Sequence, residues 1–220
     1  MAMTYNKLLE MTDDFSQKRL LGKGGYGNVY KGVDNGKVIA VKKLHSKPGL
    51  DDNQFENELI NLMKLHHQNI IRLVGYCSET RDRVVEHEGK YVVAGVQERA
   101  LCLEYMQGGT LEELLSDELC GLDWEARYNI IKGICQGLKY LHTGSKDPIY
   151  HMDLKPANIL LDEDLIPKIG DFGLSRLLGS AQTCVTETIL GTRLLKTGPR
   201  GCRQKQCLWK HYWKFRNASR

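Results

Sequence analysis

The sequence predicts an α+β fold in two parts. Apolar runs of strand length occur in residues 38–44, 70–76 and 100–105, and a helical pattern of apolar residues occupies 51–65. One long helical pattern, 123–141, dominates the part that follows. We therefore expect a sheet accompanied by a single helix, followed by a mostly helical region.

Length and charge limit the organisation of the chain. Its 220 residues suit one large domain or two small lobes with a real core. The net charge of +4 hides an asymmetry, because residues 193–220 contain nine Lys or Arg and no acidic residue. Subtraction leaves 22 basic against 27 acidic residues in 1–192, a net charge of −5. A mildly acidic body thus precedes a basic tail.

Cysteine usage and the N-terminus indicate the compartment. The seven cysteines are odd in number and dispersed, which favours reduced thiols over a disulfide framework. Acidic residues occur where a signal peptide would need an apolar core, and no run approaches the ~18 apolar residues of a membrane-spanning helix. We expect a cytoplasmic chain without a transmembrane segment, reaching the plasma membrane only through partners.

A glycine-rich segment follows the amphipathic start of the chain. Gly22, Gly24 and Gly27, with Val29 two residues further on, form the pattern GxGxxGxV between β-type residues. A hairpin of this kind brings backbone N–H groups close to phosphates, because no Cβ intervenes. A glycine-rich turn without a ligand is the alternative, and the pattern alone does not decide between the two.

A lysine interrupts the next apolar run. Lys42 lies in the alternating pattern of 38–44, and a buried ammonium group is costly unless it meets an anion. Glu58 lies beside the apolar stripe of the following helix and offers that anion, whereas Glu56 is expected to face solvent. Lys43 is the rival for this role, and a lysine that reaches water from an edge strand is the alternative.

The densest group of polar residues is HMDLKPANILLDEDLIPKIGDFG, residues 151–173. Asp153, Lys155, Asn158 and Asp171 lie at the ends of its short apolar runs. Phosphoryl transfer requires a carboxylate that orients the attacking hydroxyl, a cation near the phosphate and oxygen ligands for Mg²⁺. These four residues supply all of those groups. A loop and hairpin without chemistry is the alternative.

This stretch resembles the catalytic and magnesium-binding loops of eukaryotic protein kinases, specifically those of plant receptor-like kinases. The resemblance rests on DLKPxN and on DFG, which begins 13 residues after Asn158. It implies a two-lobed fold, with an antiparallel sheet and one helix in the small lobe, 15–106, which ends in a hinge. The large lobe, 107–193, would be mostly helical and incomplete. Residues 1–14 would form a lead-in and 194–220 a basic tail unrelated to the family.

The resemblance also implies a role for each motif residue. Asp153 would be the catalytic base, and Lys155 would neutralise the transferring phosphate, as in serine/threonine kinases. Asn158 and Asp171 would hold Mg²⁺. Phe172 would stack with His151 and Leu62 in a spine that aligns the lobes.

The remaining candidates would contact ATP. They are Gly22, Gly24, Gly27, Val29, Ala40, Lys42, Glu58, Leu103, Glu104, Met106 and Leu160. By motif alignment Leu103 takes the gatekeeper position, and residues 104–106 form the hinge that binds adenine through its backbone.

The function implied is that of an ATP- and Mg²⁺-dependent protein serine/threonine kinase of receptor-like type, acting on a protein hydroxyl. The alternative is a catalytically incompetent nucleotide-binding or interaction module that competes with full-length kinases or receptors for partners. Nucleic acid is not an expected partner. For the tail, which carries Cys202, Cys207 and His211, zinc binding is considered less favoured than an unselected sequence.

Three departures from the family pattern stand out. Met152 occupies the position of an arginine and cannot make charge-assisted bonds to a phosphorylated loop residue. Residues 78–99 look like an insertion of unknown use. After Arg193 the family's further helices have no counterpart, so apolar surface on the 123–141 helix should be exposed and the stability marginal.

Overall fold

The computed structural model describes residues 1–45, 51–87, 89–116, 122–144 and 148–177. The small lobe is a five-stranded antiparallel sheet in the order β1-β2-β3-β5-β4. Its elements are helix α1 (Tyr5–Thr12), β1 (Leu20–Lys23), β2 (Gly27–Asp34), β3 (Lys37–Leu44), helix α2 (Asp51–Lys64), β4 (Leu73–His87) and β5 (Lys90–Glu104).

The large lobe begins after the short connection that follows β5. Two helices, α3 (Leu111–Ser116) and α4 (Trp124–Thr143), precede four short strands. These are β6 (Ile149–Tyr150), β7 (Ile159–Leu161), β8 (Pro167–Ile169) and β9 (Arg176–Leu177), paired as β6 with β9 and β7 with β8. The predicted α+β fold with two lobes is confirmed. The segment after residue 177, with the basic tail and its cysteines, lies outside the described residues.

Polar side chains cap the N-termini of α3 and α4. The Thr110 hydroxyl accepts from Glu113 N–H at 3.1 Å, while Glu113 Oε2 accepts from Thr110 N–H at 2.8 Å, which completes a capping box. Asp123 Oδ1 accepts from Ala126 N–H at 2.8 Å at the start of α4. Both caps satisfy backbone N–H groups that have no partner inside the helix.

The charged stretch 78–99 is not a separate insertion. Its residues lengthen β4 and β5 into one hairpin, in which Ser78 pairs with Arg99 and Val84 with Val93. Toward its tip the hairpin is largely exposed, with Tyr91 at 78% and Val93 at 72%. The strand expected at 70–76 begins only at Leu73, because Ile71 donates its backbone N–H to the Ile169 carbonyl at 2.9 Å instead.

The main core lies where the two lobes meet. It joins side chains of β5 and α2 to those of α4, β7 and β8, including Leu62, Leu101 and Ile169. Gly133 and Gly137 let α4 approach closely, since a Cβ at Gly133 would lie 2.6 Å from Pro167 Cγ. The close packing places the loop after β8 directly below the sheet.

A second core covers the opposite face of the sheet. Helix α1 buries Tyr5, Leu8 and Met11 against side chains of β3, β4 and β5 that include Cys77 and Cys102. The sequence predicts that the small lobe begins at residue 15. Helix α1 precedes this boundary, but its side chains belong to the core of the small lobe.

Helix α4 presents an apolar face to solvent. Its inward residues are Ile130, Ile134 and Leu141, whereas Trp124 is 62% and Tyr128 is 54% exposed. Exposed apolar surface is predicted for this helix from the sequence, and the described residues show it. Exposed aromatic side chains of this size mark a surface that another segment or molecule could cover.

The cover formed by α1 can be tested through thiol reactivity. Burial raises the pKa of Cys77 and of Cys102 to about 12, and neither thiol reaches solvent, whereas Cys135 is exposed. In the intact chain an alkylating reagent should modify Cys135 well before Cys77 and Cys102. Deletion of residues 1–14 should accelerate alkylation of Cys77 and Cys102 and leave the Cys135 rate unchanged, as measured by peptide mass spectrometry. Equal rates for the buried thiols with and without residues 1–14 would contradict this packing.

Candidate active site

A buried lysine lies at the centre of the candidate site. Lys42 Nζ donates to Glu58 Oε2 at 2.8 Å and Oε1 at 3.0 Å, and to Asp171 Oδ1 at 2.8 Å. The side chains of Lys42 and Glu58 are 12% and 3% exposed, and that of Asp171 is 32% exposed. One ammonium group thus joins β3, α2 and the loop after β8. The predicted pair of Lys42 and Glu58 is present, and the rival Lys43 lies on the other face of β3, where its Nζ donates to the Tyr5 hydroxyl at 2.7 Å.

The proton affinities of these three groups are coupled. Burial alone would lower the pKa of Lys42, but the two carboxylates outweigh it and raise that pKa. Burial raises the pKa of Glu58 although Lys42 opposes the shift. Burial likewise opposes ionisation of Asp171, yet the ammonium of Lys42 holds the pKa of Asp171 below its ordinary value. Lys42 therefore carries its charge at neutral pH, and Asp171 is ionised beside it.

The catalytic-loop candidates lie together in the large lobe. Lys155 Nζ donates to Asp153 Oδ2 at 2.8 Å, and Asn158 Nδ2 donates to the Asp153 carbonyl at 2.9 Å and to Oδ2 at 3.1 Å. Asp153 and Asn158 are each 8% exposed. A carboxyl group bonded to an ammonium and an amide is fixed in orientation, which suits a group that receives or orients a hydroxyl proton.

His151 connects the catalytic loop to the DFG segment. Its Nε2 lies 2.8 Å from the Gly170 carbonyl oxygen, so this nitrogen carries the proton. Its ring packs edge-on against Phe172, with centroids 4.9 Å apart, and burial lowers the pKa of His151. Leu62 belongs to the same buried cluster as Phe172. The predicted contact of His151 with Phe172 is therefore present, and Leu62 lies in the same core.

The glycine-rich hairpin joins β1 to β2. Gly24 N–H donates to the Gly27 carbonyl at 2.9 Å, and a Cβ at Gly27 would collide with the backbone carbonyl of Lys43. Gly27 is therefore required for packing on β3, while Gly22 has open space around it. Val29 pairs with Lys42 across the strands, which places it beside the charged group.

The hinge candidates lie at the end of β5 and directly after it. Ala40 pairs with Leu103, and Leu103 and Met106 are each 8% exposed. The side chain of Glu104 is engaged with other residues, because its Oε1 accepts from Lys168 Nζ at 3.0 Å and from the Arg72 backbone N–H at 2.8 Å.

Two backbone contacts lie at the hinge or directly after it. Glu104 N–H donates to the Arg72 carbonyl at 3.1 Å, so this N–H is already engaged within the protein. Leu160 lies on β7 and forms a bridge with Thr110 just after the hinge.

The donor set fits a magnesium ion. Asn158 donates through Nδ2, which leaves its amide oxygen as an acceptor, and Asp171 supplies a carboxylate. The Gly170 N–H donates to the Asn158 carbonyl at 2.9 Å, so the two side chains arise from backbone segments in direct contact. Carboxylate and amide oxygens are the ligands that Mg²⁺ prefers.

Sequence reasoning missed a group of amides beside this site. Asn57 and Asn61 on α2 bond to residues 173–175 after the DFG segment. Their spacing of four residues on the face of α2 that carries Glu58 was the available signal. It was weak, because asparagines on a helix are ordinarily solvated.

The fold and this site define a two-lobed enzyme domain equipped for phosphoryl transfer, and comparison with known proteins agrees. The family model described as "Protein kinase domain" matches residues 15–197. The chain belongs to the protein kinase family.

Receptor-like kinases of Arabidopsis thaliana are among its relatives. Cysteine-rich receptor-like protein kinase 29 is 42% identical over 194 residues, which cover 86% of this chain and 26% of that protein. Cysteine-rich receptor-like protein kinase 44 is 42% identical over 187 residues, covering 82% and 45%. G-type lectin S-receptor-like serine/threonine-protein kinase B120 is 41% identical over 191 residues, covering 85% and 21%. The chain thus spans less than half the length of these relatives.

Within the described ranges, none of the helices combines the length and the apolar composition needed to cross a bilayer.

Replacement of Lys42 by Met should make stability depend on pH. At neutral pH the change should lower the free energy of unfolding by about 3–5 kcal/mol, because the Glu58 carboxylate stays buried without its cation. Burial already raises the pKa of Glu58 above its ordinary value of 4.5. A group with a raised folded pKa stabilises the fold below its unfolded pKa and loses that effect as pH rises. Part of the lost stability should therefore return as the pH falls toward 4.5.

Urea unfolding of Lys42→Met at about pH 7.5 and about pH 5 measures this effect. The double variant Lys42→Met with Glu58→Gln should lose the pH dependence, since Asp171 is a third exposed and reaches water. A loss of stability that is equal at both pH values, with or without Glu58, would contradict the coupling.

Proposed function

We propose that this chain is an ATP- and Mg²⁺-dependent protein kinase domain that transfers the γ-phosphoryl group of ATP to a serine or threonine hydroxyl. The observation that carries the proposal is the bridge from Lys42 to both Glu58 and Asp171, formed while Asp153, Lys155 and Asn158 lie in mutual contact. The groups proposed to bind the ATP phosphates and those proposed to act on the substrate hydroxyl therefore belong to one chain.

Each residue has a role that follows from its contacts. Asp153 accepts or orients the proton of the substrate hydroxyl, because its carboxylate is held in position by Lys155 and Asn158. Lys155 is placed to offset the charge of the transferring phosphate. Lys42 is placed to meet the other ATP phosphates, with Glu58 holding its side chain in position.

Asn158 and Asp171 would hold Mg²⁺. When bound, this ion offsets phosphate charge and orients the phosphates. The other proposed ATP contacts surround this position: Gly22, Gly24, Gly27, Val29, Ala40, Leu103, Glu104, Met106 and Leu160. For Glu104 the contact is through the carbonyl, because its side chain bonds to Lys168.

Partners and location are part of the proposal. The names of the relatives, which include receptor-like serine/threonine kinases, support a protein substrate with a serine or threonine hydroxyl. A place in the cytoplasm, at the plasma membrane through full-length kinases or receptors, is the location we propose. The exposed apolar face of α4 favours a second candidate function, an interaction module that binds such partners without catalysis.

Phosphotransfer to a generic protein substrate from labelled ATP tests the proposal. Asp153→Asn should lower the rate by about 10²–10⁴-fold while nucleotide binding persists, because the proton acceptor is removed. Asp164→Asn makes the same chemical change in an exposed turn and should leave the rate unchanged. Incorporation that is absent from the unchanged chain, or equal in Asp153→Asn, would contradict catalysis and favour the interaction module.

A further inference from the structure

Three polar side chains connect α2 to the loop that carries Asp171. Asn57 Nδ2 donates to the Ser175 carbonyl at 2.6 Å and to the Gly173 carbonyl at 3.2 Å. Asn61 Nδ2 donates to Ser175 Oγ at 2.7 Å and to Asn57 Oδ1 at 3.2 Å. The Ser175 hydroxyl in turn donates to the Phe172 carbonyl at 2.6 Å. We call Asn57, Asn61 and Ser175 the amide latch.

The latch lies in an environment that is costly for polar groups. Asn61 is fully buried and Ser175 is 1% exposed. Asn61 Oδ1 is buried without a hydrogen-bond partner among the described residues. A leucine at this position would avoid the cost of desolvating that oxygen. A buried network of this kind favours one relative position of the two segments, because each hydrogen bond forms only when its donor and acceptor are aligned.

The position of the latch relates it to the charged site. Asn57 precedes Glu58 on α2, and Gly173 lies two residues after Asp171. The Glu58 carboxylate also accepts the backbone N–H of Phe172. The helix that supplies one carboxylate to Lys42 is thus bonded, on both sides of Glu58, to the loop that supplies the other. A shift of α2 would move Glu58 away from Lys42 and release residues 172–175 at the same time.

We propose that the amide latch is a positioning device that sets the Mg²⁺-binding carboxylate of Asp171 relative to the Lys42–Glu58 pair. The inference rests on the function proposed above, because it assigns the latch to the magnesium side of the nucleotide site. Asn57 and Asn61 bond to residues 173–175 and would act through that segment, so they are positioning residues. Loss of the latch lets α2 and the loop separate while the fold of each lobe persists.

The central variant is Asn57→Asp, which keeps the shape of the side chain. It turns a carboxylate oxygen toward the carbonyls of Gly173 and Ser175, where the amide nitrogen donated before. Asn69→Asp is the matched control for stability, since the Asn69 amide is also buried and donates to the Pro167 carbonyl at 2.8 Å. Asn129→Asp is the matched control for chemistry, because Asn129 is exposed on α4.

The first readout is the binding of ADP, measured by calorimetry with and without Mg²⁺. In Asn57→Asp the enhancement of ADP binding by Mg²⁺ should fall by on the order of tenfold, the size expected for a lost hydrogen bond that opposes a charge. Binding of ADP without Mg²⁺ should change little, and both control variants should keep the enhancement. Equal losses in Asn57→Asp and Asn69→Asp would overturn the proposal and leave the network a stabilising one only.

The second readout needs no nucleotide. Hydrogen exchange of the free chain should rise together in peptides from α2 and from residues 170–177 of Asn57→Asp, with α4 unchanged. A rise in only one of the two segments would overturn the latch. If the unchanged chain binds ADP without any effect of Mg²⁺, the proposed function fails, and this exchange experiment alone decides whether the latch couples the two segments.

Discussion

The charge balance around Lys42 is the constraint on which the rest of the structure depends. A buried ammonium group is tolerable only while anionic groups stay within hydrogen-bonding distance. Glu58 comes from a helix of the small lobe and Asp171 from a loop of the large lobe. The lobes must therefore hold one relative position, and the sheet, α2 and the loop after β8 are each placed to maintain it.

Several interactions that differ in chemistry serve this one requirement. The ring of Phe172 packs against His151, whose Nε2 meets the Gly170 carbonyl, so the loop is held from the large lobe. The amides of α2 hold the same loop from the small lobe. Asp171 has a φ of 63°, a left-handed conformation that costs free energy in a residue with a Cβ. Contacts on both sides of the loop offset that cost and direct the carboxylate toward Lys42.

Short-range signals made much of the site predictable from the sequence. An isolated lysine in an apolar strand and an acid beside a helical apolar stripe led to Lys42 and Glu58, because burial of charge restricts the possible partners. The packing of α1 was not predictable, since its apolar side chains meet β4 and β5 residues some 70 to 95 positions later. Asn57 and Asn61 escaped notice for a similar reason, because they bond to a segment more than 110 positions later. The partners of Asn57 there are backbone carbonyls, which leave no mark in the side-chain pattern. The long hairpin of β4 and β5 was also missed, because its charged residues alternate on strands that extend into solvent.

Thermal unfolding of the purified chain with and without Mg-ATP tests the central claim, that residues 1–177 assemble a nucleotide site around Lys42. A ligand that binds only the folded state raises the unfolding midpoint. The account predicts a Mg-ATP-dependent rise that Lys42→Ala and Asp171→Ala both abolish. A cooperative transition whose midpoint Mg-ATP does not change, or a rise of equal size in both variants, would contradict it.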